Sequence, residues 1–172
     1  MGNFYTNVCV KNVSVEAATE AIRGLRLDAF IHPAGSDVVV YERRSDQQDT
    51  EVLGAVAERL SKDLKAVALA VLNHDDDILW FQLYSDGDLV SEYANRGGPR
   101  TDIRAMVSAL NPSASGFQVW IALNRPFLFQ VWRHERLARL LGLPPSSVGS
   151  GFNHLQVGEA PPGHSMSEFV RV

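Results

Sequence analysis

The sequence predicts a single α+β domain over residues 1–172, and three observations predict it. Segments of alternating and helical apolar spacing follow one another as β-α-β-β-α-β over the first 73 residues. Residues 66–95 then read as three strands joined by two Asp-rich turns. From residue 101 onward the apolar spacing is mainly helical. The first order is that of a ferredoxin-like split βαβ unit. The expected fold is that unit, its sheet extended by two further antiparallel strands, together with C-terminal helices.

Each element has its own warrant. In residues 4–11, Phe4, Thr6, Val8 and Val10 alternate with Tyr5, Asn7, Cys9 and Lys11, as in a strand with two different faces. Ser14 can cap a helix whose stripe is Val15, Ala18, Ile22 and Leu25. Residues 28–32 form a short strand, 33–36 a turn, and the β-branched run 38–42 the next strand. After a polar loop at 43–48, Asp49 or Thr50 opens a helix to Lys65 with Val52, Leu53, Val56, Ala57, Leu60 and Leu64 inward.

The fourth strand puts Val67, Leu69 and Val71 on one face and Ala66, Ala68 and Ala70 on the other, where small side chains let another element approach. Strand 77–84 is apolar on both faces, as in a strand covered from both sides, and 88–94 completes a hairpin across Asp86-Gly87. The two early helices are expected on one face of the sheet and the C-terminal half over part of the other.

Residues 96–100, Arg-Gly-Gly-Pro-Arg, read as a loop. Thr101 is expected to cap a helix ending at Asn111-Pro112. Residues 114–124 fit a helix, although 117–121 also fits a strand. Pro126 suits the first turn of a helix running to Leu141 and stopping at Gly142. The tail holds one short strand, 152–157, and is otherwise irregular.

Composition narrows the function classes. A hydrophobic content of 45% in 172 residues fits a folded globular domain. A net charge of −4 argues against a general nucleic-acid binder. The single cysteine, Cys9, excludes an intrachain disulfide and a multi-cysteine zinc site, and fits a cytoplasmic location. No apolar run reaches the roughly 20 residues that span a bilayer, and no secretory signal is apparent. The start matches the myristoylation form M-G-x-x-x-[ST], but Phe4 to Val10 reads better as a core strand.

The start Met-Gly-Asn-Phe-Tyr-Thr-Asn, the segment 70–80 with Asn73-His-Asp-Asp-Asp-Ile-Leu-Trp80, and Leu89-Val-Ser-Glu-Tyr93 resemble a family of bacterial proteins with no assigned activity. Gln48-Asp-Thr-Glu-Val52, Arg133-His-Glu135, Leu141-Gly-Leu-Pro144 and Gly149-Ser-Gly-Phe152 are also similar. The resemblance spans most of the chain and implies no particular chemistry. Family members carry a longer acidic-aromatic loop after the Glu-Tyr pair, where this chain has Ala94-Asn-Arg-Gly-Gly-Pro99.

The candidate binding residues are His74, Asp75, Asp76, Asp77, Asp86, Asp88, Glu92 and Tyr93. An imidazole beside three carboxylates has the ligand chemistry for a divalent metal, with His74, Asp75 and Asp77 as the set. Contiguous residues rarely converge on one ion, and Asp-rich tips are ordinary turn chemistry, so a solvated turn is the preferred reading. Glu92 and Tyr93 would line a pocket with Asp77 or His74 if the sheet curls.

Cys9 with His32 or His74 has the residue types of a thiol nucleophile, but a mid-strand cysteine is more often buried core. Residues 137–148 resemble the middle of a helix-turn-helix, with local positive charge from Arg133, Arg136 and Arg139, opposed by Gly149 and Gly151. The run Phe127-Leu-Phe-Gln-Val-Trp132 is apolar beyond what one core face needs.

The expectation is a non-catalytic protein-binding module without a cofactor, of which an immunity or antitoxin-type protein is one version. Its partner would be another protein, basic if the Asp-rich turns form the contact. The alternative is a small metal-dependent hydrolase built on His74, Asp75 and Asp77. Strands 29–32 and 88–94 leave a homodimer open.

Overall fold

A computed structural model describes residues 2–98 and 101–172. Its centre is a seven-stranded antiparallel sheet in the order β6-β5-β4-β1-β3-β2-β7. The strands are β1 (Tyr5–Val10), β2 (Ala29–Ala34), β3 (Asp37–Glu42), β4 (Val67–His74), β5 (Ile78–Ser85), β6 (Asp88–Ala94) and β7 (Val170–Arg171). Helices α1 (Val15–Leu25) and α2 (Thr50–Leu64) cover one face. Helices α3 (Ile103–Leu110), α4 (Gly116–Asn124), α5 (Gln130–Leu141) and α6 (Phe152–Gln156) cover the other.

The alternation in β1 divides as its side chains dictate. Val8 and Val10 join the α1–α2 core, and Tyr5 and Cys9 join the opposite core. The alanine face of β4 meets α2 at close range: Ala68 and Ala70 are fully buried there. Gly54 of α2 lies against the neighbouring strand β5, where a Cβ would stand 2.6 Å from Gln82 Oε1. Ser14 and Asp49 cap α1 and α2 by accepting backbone N–H groups, as their residue types require.

The C-terminal half departs from expectation in several places. Asp102, rather than Thr101, caps α3, accepting from Ala105 N at 2.9 Å. Residues 117–121 are helical within α4. Helix α5 begins at Gln130 and not near Pro126, since its first N–H groups are satisfied by Asp76 from the β4–β5 turn. The expected strand at 152–157 is helix α6, whose Phe152 packs on Phe30 at 5.2 Å between ring centres.

Strand β2 continues through Pro33 and Ala34, which pair with Val38 and Asp37. Proline is tolerated there because β7 pairs only with Phe30 and Ile31, so the outer side of β2 is open at Pro33. β7 was not expected; it covers part of the β2 edge proposed for a dimer and leaves β6 as the long edge. The loop expected at 96–100 falls partly on Pro99 and Arg100, outside the described residues, as does Met1 of the start motif. Among the described residues no helix is long and apolar enough to cross a membrane.

Candidate functional site

The β4–β5 turn separates the residues of the expected acidic cluster. Asp75 and Asp76 both take left-handed backbone conformations, φ 51° and 55°, which short polar residues tolerate in tight turns. Asp75 Oδ1 then accepts from Gly2 N at 3.1 Å. Asp77 points outward to Arg96 at 3.4 Å, an exposed pair of little energetic weight. His74 is exposed and meets the Phe4 ring edge-on at 4.9 Å.

Asp76 instead turns inward. Its Oδ2 accepts from Asn3 N (3.2 Å) and Asn3 Nδ2 (2.7 Å), and its Oδ1 from Asn73 Nδ2 and Val131 N, both at 3.2 Å. Its carbonyl accepts from Gln130 N at 3.0 Å. Asp76 is therefore the remote cap of α5, whose own N-cap residue, Phe129, supplies no side-chain bond. His74, Asp75 and Asp77 do not converge on one point, so this segment does not offer the ligand set that its composition suggested.

The second acidic turn, Asp86-Gly87, lies at the other end of the eight-residue strand β5. The two turns are thus about 25 Å apart at the usual rise per residue, and not neighbours on one face. Asp88 is exposed beside that turn. Glu92 faces α2, with Gln82 Nε2 donating to it at 3.4 Å. Tyr93 faces the C-terminal helices, where its hydroxyl donates to Leu123 O at 3.0 Å and accepts from Arg133 Nη1. Adjacent strand residues point to opposite faces, so Glu92 and Tyr93 do not share a pocket.

Cys9 is fully buried, and desolvation pushes its thiol up to about 12, far from a reactive thiolate. The helix-turn-helix reading of 137–148 also fails locally. α5 stops at Gly142, which has φ 65°, and only a single turn at 145–147 follows.

A buried polar chain runs between the sheet and α5. Asn73 Nδ2 donates to Tyr5 OH at 3.4 Å, and Tyr5 OH bonds His134 Nδ1 at 2.9 Å. Desolvation holds His134 down to about 3 and raises Tyr5 well above its ordinary value. Both are neutral near pH 7, so the bond between Tyr5 OH and His134 Nδ1 is a neutral lock between β1 and α5 and not an ion pair.

Two assemblies on the C-terminal side have chemistry to offer. The first is an apolar surface. Helix α4 is apolar around most of its circumference, and only Val119, Ala122 and Leu123 reach the core. Phe117 (69% exposed) and Trp120 (51%) stay outside and stack with centres 6.2 Å apart. The following segment adds Leu128 (78%), Phe129 and Trp132, the last two edge-to-face at 4.8 Å.

Arg133 fixes this layer from beneath: its Nη2 donates to Arg125 O at 2.7 Å and its guanidinium lies 5.3 Å from the Phe127 ring centre. A cleft of about 690 Å³ opens beside the surface, lined by Tyr93, Asp102, Ile103, Trp120, Leu123 and Asn124. Residues 103–141 carry five arginines and one glutamate, in a chain with 16 basic and 20 acidic residues. The surface is thus locally basic on an acidic protein.

The second assembly joins His32 of β2 to His164 and Glu168 of the tail. One ligand atom from each lies within 4.8 Å of the other two. Glu168 Oε2 is 2.9 Å from His164 Nδ1 and 3.4 Å from His32 Nε2, and Ser146 Oγ is 2.9 Å from His32 Nδ1. The hydrogen bond to His164 chiefly, with that from Ser165 N, holds the Glu168 carboxyl down to about 2; burial lowers His32. Ser146, His32 and Glu168 have the residue types of a nucleophile relay, but Ser146 is fully buried and has no path to a substrate.

Sequence reasoning missed this cluster because 132 positions separate His32 from His164. The only local signal is Ser165-x-x-Glu168, a capping box that holds the glutamate in place. Comparison of the chain with protein-family models, with curated proteins and with solved structures finds no match.

Proposed function

We propose that the chain is a non-catalytic protein-binding module that docks through the aromatic surface of α4 and the start of α5. The observation that carries this reading is Phe117, Trp120, Leu128 and Trp132, each at least half exposed, on α4, α5 and the segment that joins them. Exposed apolar clusters of this kind mark interaction sites, and aromatic side chains dominate their energetics. Exposed Arg104, Arg125 and Arg136 lie on α3, the α4–α5 segment and α5. The partner that fits is therefore a protein with apolar anchors and a carboxylate-rich rim. This replaces the basic partner suggested by composition, because the Asp-rich turns do not make one face. A cytoplasmic immunity or antitoxin-type protein remains a concrete version of the reading.

The finer description of the fold belongs to the same proposal. The element order β-α-β-β-α-β with strand order β4-β1-β3-β2 supports a ferredoxin-like unit, extended by β5 and β6. In that reading the early helices are scaffold, and the added C-terminal layer carries the binding surface.

The test is co-purification with the wild-type chain, F117S/W132S and D86N/D88N, followed by titration of the purified partner. The expected outcome is one stoichiometric partner whose Kd rises at least about tenfold with F117S/W132S. R136E should also weaken it, whereas D86N/D88N should not. Binding that survives F117S/W132S but is lost in D86N/D88N would return the contact to the acidic turns. Sedimentation of the chain alone reveals whether a second copy occupies the surface instead.

A further inference from the structure

We propose that His32, His164 and Glu168 form a binding site for a divalent transition-metal ion, zinc by the chemistry of the donors. Two imidazoles and one carboxylate suit zinc, and three protein ligands leave a fourth position for water. Ligands at zinc bond lengths of about 2.0–2.1 Å stand roughly 3.3 Å apart in a tetrahedron. The two separations from Glu168 Oε2, 2.9 and 3.4 Å, bracket that edge. The third, between the histidines, is within 4.8 Å.

The surroundings are those a bound metal needs. A ligating histidine is oriented by a partner on its other nitrogen, and Ser146 Oγ occupies that place on His32. Glu168 Oε1 accepts from Ser165 N at 2.8 Å, which leaves Oε2 to face the histidines. Phe169 stacks on His32 at 4.6 Å and fixes the ring plane. Access is one-sided: the His32 side chain is 3% exposed, while those of His164 and Glu168 are 23% and 43% exposed. An ion can therefore enter from the tail side and keep a water there.

The site also has a definite proton arrangement. Without metal, Ser146 O–H donates to His32 Nδ1 and His32 Nε2–H donates to Glu168. With metal, Nε2 must present its lone pair, so Nδ1 carries the proton and donates to Ser146 Oγ. Binding thus exchanges the tautomer of buried His32, and His164, whose Nδ1–H donates to Glu168 without metal, must likewise carry its proton on Nε2 when Nδ1 binds the ion. Its consequence is mechanical: the ion joins β2 to the segment that leads into β7, which is otherwise held there by the pairs Phe30–Arg171 and Ile31–Val170.

The experiment uses the full chain, stripped with chelator and titrated with zinc chloride, with magnesium chloride as control. One zinc per chain is expected, with a rise in Tm of about 5 °C or more at a hundredfold excess over Kd. H164A and E168Q should each weaken zinc by about a hundredfold, S146A by about tenfold, and H74A not at all. Both principal variants alter partly exposed side chains, and circular dichroism checks that they fold; E168Q stands as the second variant if H164A does not. Nitrogen-15 shifts of His32 should move from the Nε2–H to the Nδ1–H tautomer on titration. Absence of zinc binding, or binding retained in both H164A and E168Q, would overturn the site and leave a hydrogen-bonded clasp only.

Discussion

The two faces of the sheet are covered in different ways. On one, α1 and α2 present continuous apolar stripes to Val8, Val10, Ala68, Ala70 and their neighbours, and the core there is almost wholly aliphatic. On the other, four helices and irregular backbone lie on strands that present polar side chains. Asn7 Nδ2 donates to Ser147 O (2.8 Å) and Ser150 O (3.2 Å), and Tyr41 OH donates to Ser146 O at 2.8 Å. A helix satisfies its own backbone, whereas an irregular segment over a sheet must be given donors. The difference teaches where function can reside. The first face is closed mainly by aliphatic packing, with polar bonds at its margin such as Tyr84 OH to Gln82 Oε1; the second is held by specific bonds through its interior and leaves aromatic and histidine side chains unused by the core.

Substitutions can break or sharpen that contrast. Leu60→Ala, in the fully buried stripe of α2, should cost about 2–5 kcal/mol in urea unfolding, because a cavity opens in a tightly packed layer. On the other face, Asp76→Ala should cost about 2–3 kcal/mol, since it strips Asn3, Asn73 and Val131 N of their acceptor. Asp76→Asn should recover part of that loss. If Asp76→Ala were neutral, the polar account of this face would be wrong.

Acid should distinguish the faces next. His134 is held down to about 3 in the folded chain, while the unfolded chain binds its proton near 6.5. Below pH 6.5 the unfolded state therefore takes up more protons. Stability present above that value is lost as pH falls towards 3, at up to about 1.4 kcal/mol per pH unit from this group. Burial lowers His32 as well, so it adds with the same sign. Urea midpoints measured between pH 7 and 4 should follow this slope, and His134→Phe should flatten it. The smallest effect concerns the outer surface: Phe117→Ser should change stability by less than about 0.5 kcal/mol, for the side chain is 69% exposed. A larger loss would make Phe117 part of the core and weaken the docking reading.

The same contrast explains how much was legible. Strands β1 and β3–β6 and helices α1 and α2 follow from alternation, stripe and cap, because each is stabilised by its own period. The start of α5 was not legible, for its first N–H groups are satisfied by Asp76 from more than fifty positions away. Nor was α6: Phe152 and His154 alternate as in a strand, yet Gly151 passes so close to Asp46 that a Cβ there would stand 2.3 Å from its Oδ1. That close passage starts a helical turn instead, and Asn153 N donates to Asp46 at 2.8 Å. For the candidate sites, the apolar excess of 127–132 was visible as sequence. The spread of His74, Asp75, Asp76 and Asp77 in four directions was not, and neither was the meeting of His32 with His164 and Glu168. Both depend on backbone conformation or long-range packing that no local spacing encodes.

The unequal edges of the sheet carry a further consequence. At one side the outermost strand is β7, two residues long; at the other it is β6, with seven. Growth of a fibre by strand addition needs two edges that can each accept another chain, and here only one is long enough. Two copies joined β6 to β6 by a twofold axis would each have used that edge, and the assembly would close at two. With β7 only two residues long, a further strand has little to pair with on that side, a limit that comes from edge length and not from charge.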